Sequence, residues 1–503
     1  MEGELPYKDF FTNYAPGQFY TVALLFDIFG DNLITARLYD IICRLIIIFL
    51  VYLLAKRLFK TSLALVAAIS STLLLTVDPF YTHAVFPSLV FCMLALLCLM
   101  QYLNKGQKGM LFLSGILAGM AATIRHDFGG YVVIASSITI LMYVLLSRKQ
   151  GASISNILGI ERTVLLYCAG VLLVAMPFYG YFIYEAGFDA MWEQLIVFPA
   201  TSMQAFRHYP YFSSLKPTIY EIHDAPILGI EMLRNVIRLI YYSLLLVFPL
   251  ILYAVALIFI IRSFIKESGF YISRNYEVTA LFIFGILLML QAFSRPDFMH
   301  RLPTSLIAFV LLAYILSSAY KGLPSRGSQA KAVWIMVTFL VIYFSYPVLK
   351  TINNVKKYSP LISHSELKKT GGVFISKDQE QAVNYIVNHT KKHEPIYVGN
   401  SRHDLICGND IGFYYLADRP SATFYHQLEP SYATTVPVQR QIISELISKK
   451  VTWIVLAEQP NYNEDNLSSV SSGVHILDDW INDNYKQQAS SGRYKIYKKM
   501  RTS

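Results

Sequence analysis

The chain has 503 residues, 54% of them hydrophobic and only 15% charged, with a mean hydropathy of +0.43. Soluble proteins carry about 25% charged residues, and a soluble core does not grow with chain length in this way, so lipid is the solvent for much of the surface. The formal charge of +10 would suit nucleic acid, but many of the cations sit in short loops between apolar runs, which argues against such a partner.

In chain order, residues 1–36 come first, an aromatic and polar segment. Its apolar stretch 18–29 is too short to span a bilayer and predicts a helix lying in the interface. A spanning helix needs about 20 apolar residues. Ten candidates follow, at 37–55, 62–77, 86–103, 110–124, 130–147, 163–184, 236–261, 277–294, 303–319 and 333–349. From 350 to 503 the chain is polar and alternates strand-like runs (395–399, 451–456, 493–497) with helix-like ones (377–392, 435–449, 475–486), which predicts a soluble α/β domain. Cys43, Cys92, Cys98 and Cys168 lie in apolar runs and Cys407 stands alone, with neither metal spacing nor a disulfide framework. The expected fold class is therefore mostly α: a polytopic bundle over 37–349, preceded by a loop at 1–36 and followed by the α/β domain.

Lys and Arg set the orientation. The loops 56–62, 104–109, 148–162, 262–276 and 320–332 hold 14 of them in 56 residues, whereas 1–36, 76–86, 125–129, 185–235 and 295–302 hold 7 in 111. The fourfold density difference puts the first set in the cytoplasm. Residues 1–36, the long 185–235 loop and the C-terminal domain are then extracytoplasmic. An external N-terminal segment with no span before it predicts a transmembrane helix upstream of Met1 in a longer reading frame; a genuine short form is the alternative.

Five polar clusters fall on the outer side. The first runs from Gly3 to Tyr20 and contains Pro6-Tyr7-Lys8-Asp9-Phe10-Phe11 and Tyr14-Ala15-Pro16-Gly17-Gln18. It offers a cation for a phosphate, a carboxylate for an acceptor proton and rings to stack on a sugar. The second is Asp78-Pro79-Phe80, with Tyr81 and His83 behind it; a helix-ending turn is the plainer reading. In the third, Arg125-His126-Asp127-Phe128-Gly129, ionisable residues interrupt apolar sequence, as they do when they face a cavity or each other. Arg125 has the planar fork that suits a phosphate. The fourth, in the long loop, holds Phe198-Pro199 and Arg207-His208. The fifth, Arg295-Pro296-Asp297-Phe298-Met299-His300-Arg301, combines a cation, an acid and an imidazole at the mouth of a span. Asp40 and Arg44, four apart within a span, are expected to pair with each other or with a neighbouring helix.

The string G-x-x-P-Y-x-D-F-F-x-x-Y-x-P-G-Q-x-Y, followed by Phe29-Gly30 and Ala36-Arg37-Leu38, resembles the first extracytoplasmic loop of the GT-C glycosyltransferases. These include the protein O-mannosyltransferases, the aminoarabinose transferase of lipid A and the bacterial RgtA/B/C/D-like enzymes. Arg125-x-Asp127-x-Gly129 and Arg295-x-Asp297-x-x-His300 are similar to elements of the bacterial branch. The resemblance implies an inverting hexosyl- or pentosyltransferase. The donor would be a polyprenyl-phosphate sugar and the acceptor an envelope glycolipid, polysaccharide or protein, at the outer face of the cytoplasmic membrane. It implies catalytic roles for Asp9 and Asp78, and donor-phosphate or acceptor binding by Lys8, Arg125, Asp127, Arg207, His208, Arg295, Asp297 and His300. The family's usual first acid lies upstream of the Pro-Tyr-x-Asp string. No nucleotide cofactor is implied, and a divalent cation is left open. A non-catalytic relative and a lipid or sugar transporter are the alternatives. Against a transporter, no internal repeat is evident and the charges sit at outer ends rather than mid-span.

Overall fold

The computed structural model describes residues 3–77, 81–147, 157–224, 229–266, 272–322, 325–357, 365–405, 408–428, 432–458, 464 and 466–500. The chain divides into two compact units. One, the helical unit, comprises Arg37–Gly180 and Pro210–Ser359; the other comprises Met1–Ala36, Tyr181–Tyr209 and Pro360–Ser503.

In hydrocarbon a backbone must satisfy its own polar groups, and helices do so within one segment. Among the described residues, seven helices are long and apolar enough to cross a membrane: Leu33–Leu58, Val85–Lys105, His126–Leu145, Glu161–Ala186, Ile230–Ile265, Asn275–Ser294 and Phe298–Ala319. The protein is a multi-pass membrane protein. Thr61–Leu75 and Lys108–Ile124, both counted as spans in the sequence reading, are helices of 15 and 17 residues. At 1.5 Å per residue, 15 residues reach about 22 Å, short of the roughly 30 Å hydrocarbon layer.

Close packing in the helical unit relies on small residues and internal hydroxyls. Val85–Lys105 turns into Lys108–Ile124 at Gly106, whose left-handed φ of 67° lets its N–H donate to the Tyr102 carbonyl at 2.7 Å. The two helices are tied by Ser114 Oγ donating to the Ala95 carbonyl at 2.8 Å and Ser88 Oγ to the Ala121 carbonyl at 3.2 Å. Gly115 and Gly119, one helical turn apart, meet the helix Ile157–Ala186 backbone to backbone. A Cβ at Gly115 would lie 2.2 Å from the Tyr167 carbonyl oxygen, and one at Gly170 would lie 2.4 Å from the Phe112 carbonyl oxygen. This is the small-xxx-small approach of membrane helices.

The second unit carries a four-stranded sheet of β1 (Tyr397–Asn400), β2 (Trp453–Ala457), β3 (Tyr485–Ser491) and β4 (Tyr494–Lys499), in the order β1-β2-β4-β3. β1 and β2 are parallel; the other pairs are antiparallel. Side-chain alternation sorts β2 between two cores. Ile454 and Leu456 join Ile442 and Leu446 of helix Val436–Ser448 and Leu477 and Ile481 of helix Ile476–Asn484. Trp453, Val455 and Ala457 join Val383 and Ile386 of helix Lys377–His389, and Phe413. The expected helix over 475–486 ends at Asn484, and β3 follows at once. This strand, Tyr-Lys-Gln-Gln-Ala-Ser-Ser, lies at the sheet edge and is largely exposed, so it lacks the apolar alternation that would have revealed it. Phe198, with Phe11 and Met203 partly buried, packs in the core of Ile442 and Leu456. The segments around 1–36 and 181–209, which sequence separates from the C-terminal domain, therefore share its core.

Gly115→Leu is expected to lower stability by about 1–3 kcal/mol, the usual cost of overpacking, or more because the obstruction is backbone. Gly130→Ala, which meets nothing within 4 Å, should leave it unchanged. Thermal melting of the detergent-solubilised protein followed by size-exclusion chromatography reads both.

Candidate active site

The charged residues of the helical unit are arranged by the cost of keeping charge out of water. Arg37, Asp40 and Arg44 lie on one face of helix Leu33–Leu58. Arg44 and Asp40 are both buried and pair as the sequence predicted: Arg44 Nε donates to Asp40 Oδ2 at 2.8 Å and Nη1 to the Leu75 carbonyl at 2.5 Å. Arg44 also lies 4.2 Å from the Phe86 ring centre, and Arg37 lies 4.6 Å from that of Tyr81.

Two Arg-x-Asp elements repeat one local solution. Arg125 separates helices Lys108–Ile124 and His126–Ser147 and grips Asp127 through two bonds, at 2.9 and 2.7 Å. Asp127 stands in the first turn of the new helix, where a negative charge suits the exposed N–H groups, and its Oδ1 accepts from the Phe128 amide. Arg295 Nε donates to Asp297 Oδ2 at 2.9 Å. Asp297 immediately precedes helix Phe298–Gly322 and caps it by accepting from the His300 amide at 3.0 Å; its Oδ1 lies 2.7 Å from His300 Nδ1. Gln291 Nε2 also donates to Asp127, and the Gln291 carbonyl accepts from the Arg295 amide at 3.0 Å. Gln291 thus joins the two elements. Beside Asp297 lies a cavity of about 370 Å³ lined by Ser214, Pro217, Thr218, Glu221, Arg238, Tyr242, Leu246, Pro296, Asp297 and Arg301. Arg238 pairs with Glu221 at 2.5 Å on its wall.

His83, just before helix Val85–Lys105, lies in the combined field of these groups. Burial, then the charges of Arg44, Arg37 and Arg125, push its imidazole down to about 4 against the pull of Asp297. It is neutral at neutral pH and can hydrogen-bond without adding charge. Burial alone would raise the Asp297 carboxyl, but the hydrogen bonds and charge of His300, with the charge of Arg295, hold it well below the usual carboxylate range. Arg37, Arg44 and Arg125 thus all bear on His83, and Arg301 Nε donates to the Asp297 carbonyl at 3.4 Å.

Lys8, Asp9, Arg207 and His208 belong to the other unit. Lys8 Nζ is 3.1 Å from Glu185 Oε2. Asp9 Oδ2 accepts from the Leu5 amide of its own loop at 2.7 Å. Arg207 ends the short helix Ser202–Arg207, and the His208 carbonyl accepts from Asn466 Nδ2 at 3.4 Å. His426 stacks on Phe10 with ring centres 5.1 Å apart, and burial, then Lys449, pushes its imidazole down to about 4. Asp78 lies outside the described residues, as does Cys407.

In the C-terminal stretch Asn409 to Arg419, Arg419 is structural. Its guanidinium donates to Thr390 Oγ1 and to the carbonyls of Val387, Thr390, Ala417 and Asp418, closing the ends of two helices. One group among the described residues could hold a metal ion, Asp404, His475 and Asp478, with ligating atoms within 4.8 Å of one another. Asp404 is already gripped by Arg402 at 2.9 and 2.6 Å, and Asp478 Oδ1 lies 2.6 Å from His403 Nδ1. This group therefore reads as an internal salt-bridge cluster.

Sequence reasoning did not select Gln291 or Arg238, and it gave no role to His83 or Arg301 of the second and fifth clusters. Gln291 and Arg238 lie within apolar helices, where a lone polar residue reads as an anchor, and only tertiary packing brings them to the paired acids and the cavity.

Residues 13–182 match the family described as dolichyl-phosphate-mannose-protein mannosyltransferase. No curated protein matches the chain in sequence. Among solved structures, the chain aligns with apo ArnT from Cupriavidus metallidurans at a TM-score of 0.53 and 13% identity, over 97% of this chain and 88% of that one. The same protein bound to undecaprenyl phosphate gives 0.51 and 12%, with the same coverage. The fold is that of the GT-C membrane glycosyltransferases. The Archaeoglobus fulgidus oligosaccharyltransferase in complex with Zn and sulfate aligns at 0.51 and 14% identity, over 90% of this chain and 60% of that one. This chain therefore spans less than two thirds of that enzyme.

The depressed imidazoles have a consequence for pH dependence. His83 and His426 are held neutral in the fold, down to about 4, whereas an unfolded histidine protonates near 6.5. Between those values the unfolded chain binds more protons, so stability is full above about pH 6.5 and is lost as pH falls towards about 4. Melting temperature across that window should fall in the wild type, and fall less in His83→Gln.

Proposed function

We propose that this protein transfers a sugar from a polyprenyl-phosphate-linked donor to a glycolipid, polysaccharide or protein acceptor of the cell envelope, with inversion, at the outer face of the cytoplasmic membrane. The observation that carries this reading is the pair of ordered Arg-x-Asp elements, joined through Gln291, beside the cavity lined by Arg238, Asp297 and Arg301. The GT-C fold, the match over residues 13–182 and the undecaprenyl phosphate bound to ArnT support it. The density of Lys and Arg in the opposite loops supports the orientation.

In this reading Arg295, Arg301 and Arg238 receive the donor phosphate, and Arg125 adds positive potential. Asp127 and Asp297 keep the guanidinium planes ordered, so no reorganisation is needed as charge develops. An acceptor hydroxyl oxygen attacks the anomeric carbon from the face opposite the phosphate. The carbon–oxygen bond to phosphate breaks, its electron pair leaves with the phosphate, and the hydroxyl proton passes to a carboxylate. Asp9 and Asp78 are the carboxylates assigned to that proton. Asp9 keeps Oδ1 for it while Oδ2 holds the Leu5 amide. His300, ordered by Asp297, hydrogen-bonds donor or acceptor, and Lys8, Arg207 and His208 contact the acceptor or the phosphate.

Membranes containing the protein, given a radiolabelled polyprenyl-phosphate hexose or pentose and extracted envelope glycolipid, should transfer label. Loss of one charged phosphate contact costs about 2 kcal/mol, so Arg295→Ala and Arg301→Ala should each lower kcat/KM roughly thirtyfold. Binding of polyprenyl phosphate with no transfer from any such donor would favour the non-catalytic alternative. Passage of intact donor across the membrane would favour a transporter.

A further inference from the structure

The loop that carries Lys8 and Asp9 is held by one amide. Gln194 is buried, at 6% exposure, and lies in a short π-helical turn, Glu193–Val197. Its Nε2 donates to the Tyr7 carbonyl at 3.0 Å, and its Oε1 accepts from the Thr12 amide at 3.0 Å. The two bonds flank Lys8-Asp9-Phe10-Phe11. Between them the loop closes on itself: the Tyr7 amide donates to the Phe10 carbonyl at 3.0 Å, the Asp9 amide donates to the Leu5 carbonyl at 2.9 Å, and Asp9 Oδ2 takes the Leu5 amide. Tyr7 sits at the strained φ of 68°, buried, with its hydroxyl donating to the Tyr14 carbonyl at 2.8 Å. A non-glycine residue keeps such a conformation only when its surroundings over-determine it, and Gln194 is one of the groups that do so. Nine residues before it, Glu185 meets Lys8, so one segment fixes both the loop backbone and its cation. A primary amide supplies a donor and an acceptor together; a carboxylate supplies acceptors only, and alanine neither. Single π turns inside helices often mark functional positions.

We infer that Gln194 is a positioning residue, which sets the conformation of the loop that presents Lys8 and Asp9. The catalytic consequence rests on the proposed glycosyl transfer; the clamp itself does not. Gln194→Glu keeps the size and the Thr12 acceptor but removes the Tyr7 donor, and Gln194→Ala removes both. Hydrogen exchange on the full-length protein in detergent should show faster exchange confined to residues 5–14 in Gln194→Glu, and more so in Gln194→Ala, with the melting temperature of the whole protein nearly unchanged. In the transfer assay kcat should fall about tenfold or more in Gln194→Glu, because small misplacements of reacting groups are costly, while KM for the polyprenyl-phosphate donor stays within about twofold. Wild-type exchange in both variants would overturn the clamp. Faster loop exchange with unchanged kcat would overturn the positioning role. A wild-type protein with no transferase activity would remove the proposed function, and exchange would still decide whether Gln194 holds the loop.

Discussion

Charge is expensive in and near a bilayer, and the polar architecture of the helical unit follows from that cost. A guanidinium there needs a partner with several acceptors and fixed geometry. Arg44 takes Asp40 one turn back and the end of a neighbouring helix; Arg57 takes Glu277, Gln101 and the Met100 carbonyl. Arg125 and Arg295 each take the aspartate two residues on. In the last two cases the aspartate also serves the start of the next helix. One residue therefore neutralises an arginine and satisfies orphan backbone amides at once. That double use explains why the Arg-x-Asp spacing occurs at helix junctions.

The same arrangement that makes these charges tolerable makes them useful. Arg125 and Arg295 are ordered by their aspartates before any ligand arrives, Gln291 ties one pair to the other, and His83 stays neutral under the positive field. In the proposed reading such a site would meet an anion without the entropic cost of collecting flexible side chains. The cavity beside Asp297 adds Arg238 and Arg301 to the groups that can meet it.

The second unit follows a different logic. Its sheet is ordinary soluble architecture with helices over both faces, and its polar interior is dense. Gln439 bonds the backbone of His403, Ala433, Val474 and Leu477, and Asn409 bonds that of Val398, His426 and Leu428. These amides do for three connecting segments what Gln194 does for the first loop. Each satisfies backbone groups that the sheet and helices leave unpaired.

Membrane character, most of the helices, the α/β tail and the Arg44–Asp40 pair were legible in the sequence. Hydropathy, strand alternation and the four-residue helical spacing are local signals. The two Arg-x-Asp elements were legible for the same reason, since their partners are two residues apart. Strand β3 was not, because a polar edge strand has no buried face to impose a pattern. Nor were Gln291, Arg238 and Gln194. Each is a single polar residue whose partners lie far away in sequence, and only the packing of helices and loops brings them within hydrogen-bond reach or onto one cavity wall. Local periodicity determined what kind of elements this chain makes. The tertiary structure alone decided which polar groups converge, because convergence depends on where the elements cross and not on the order in which they are written.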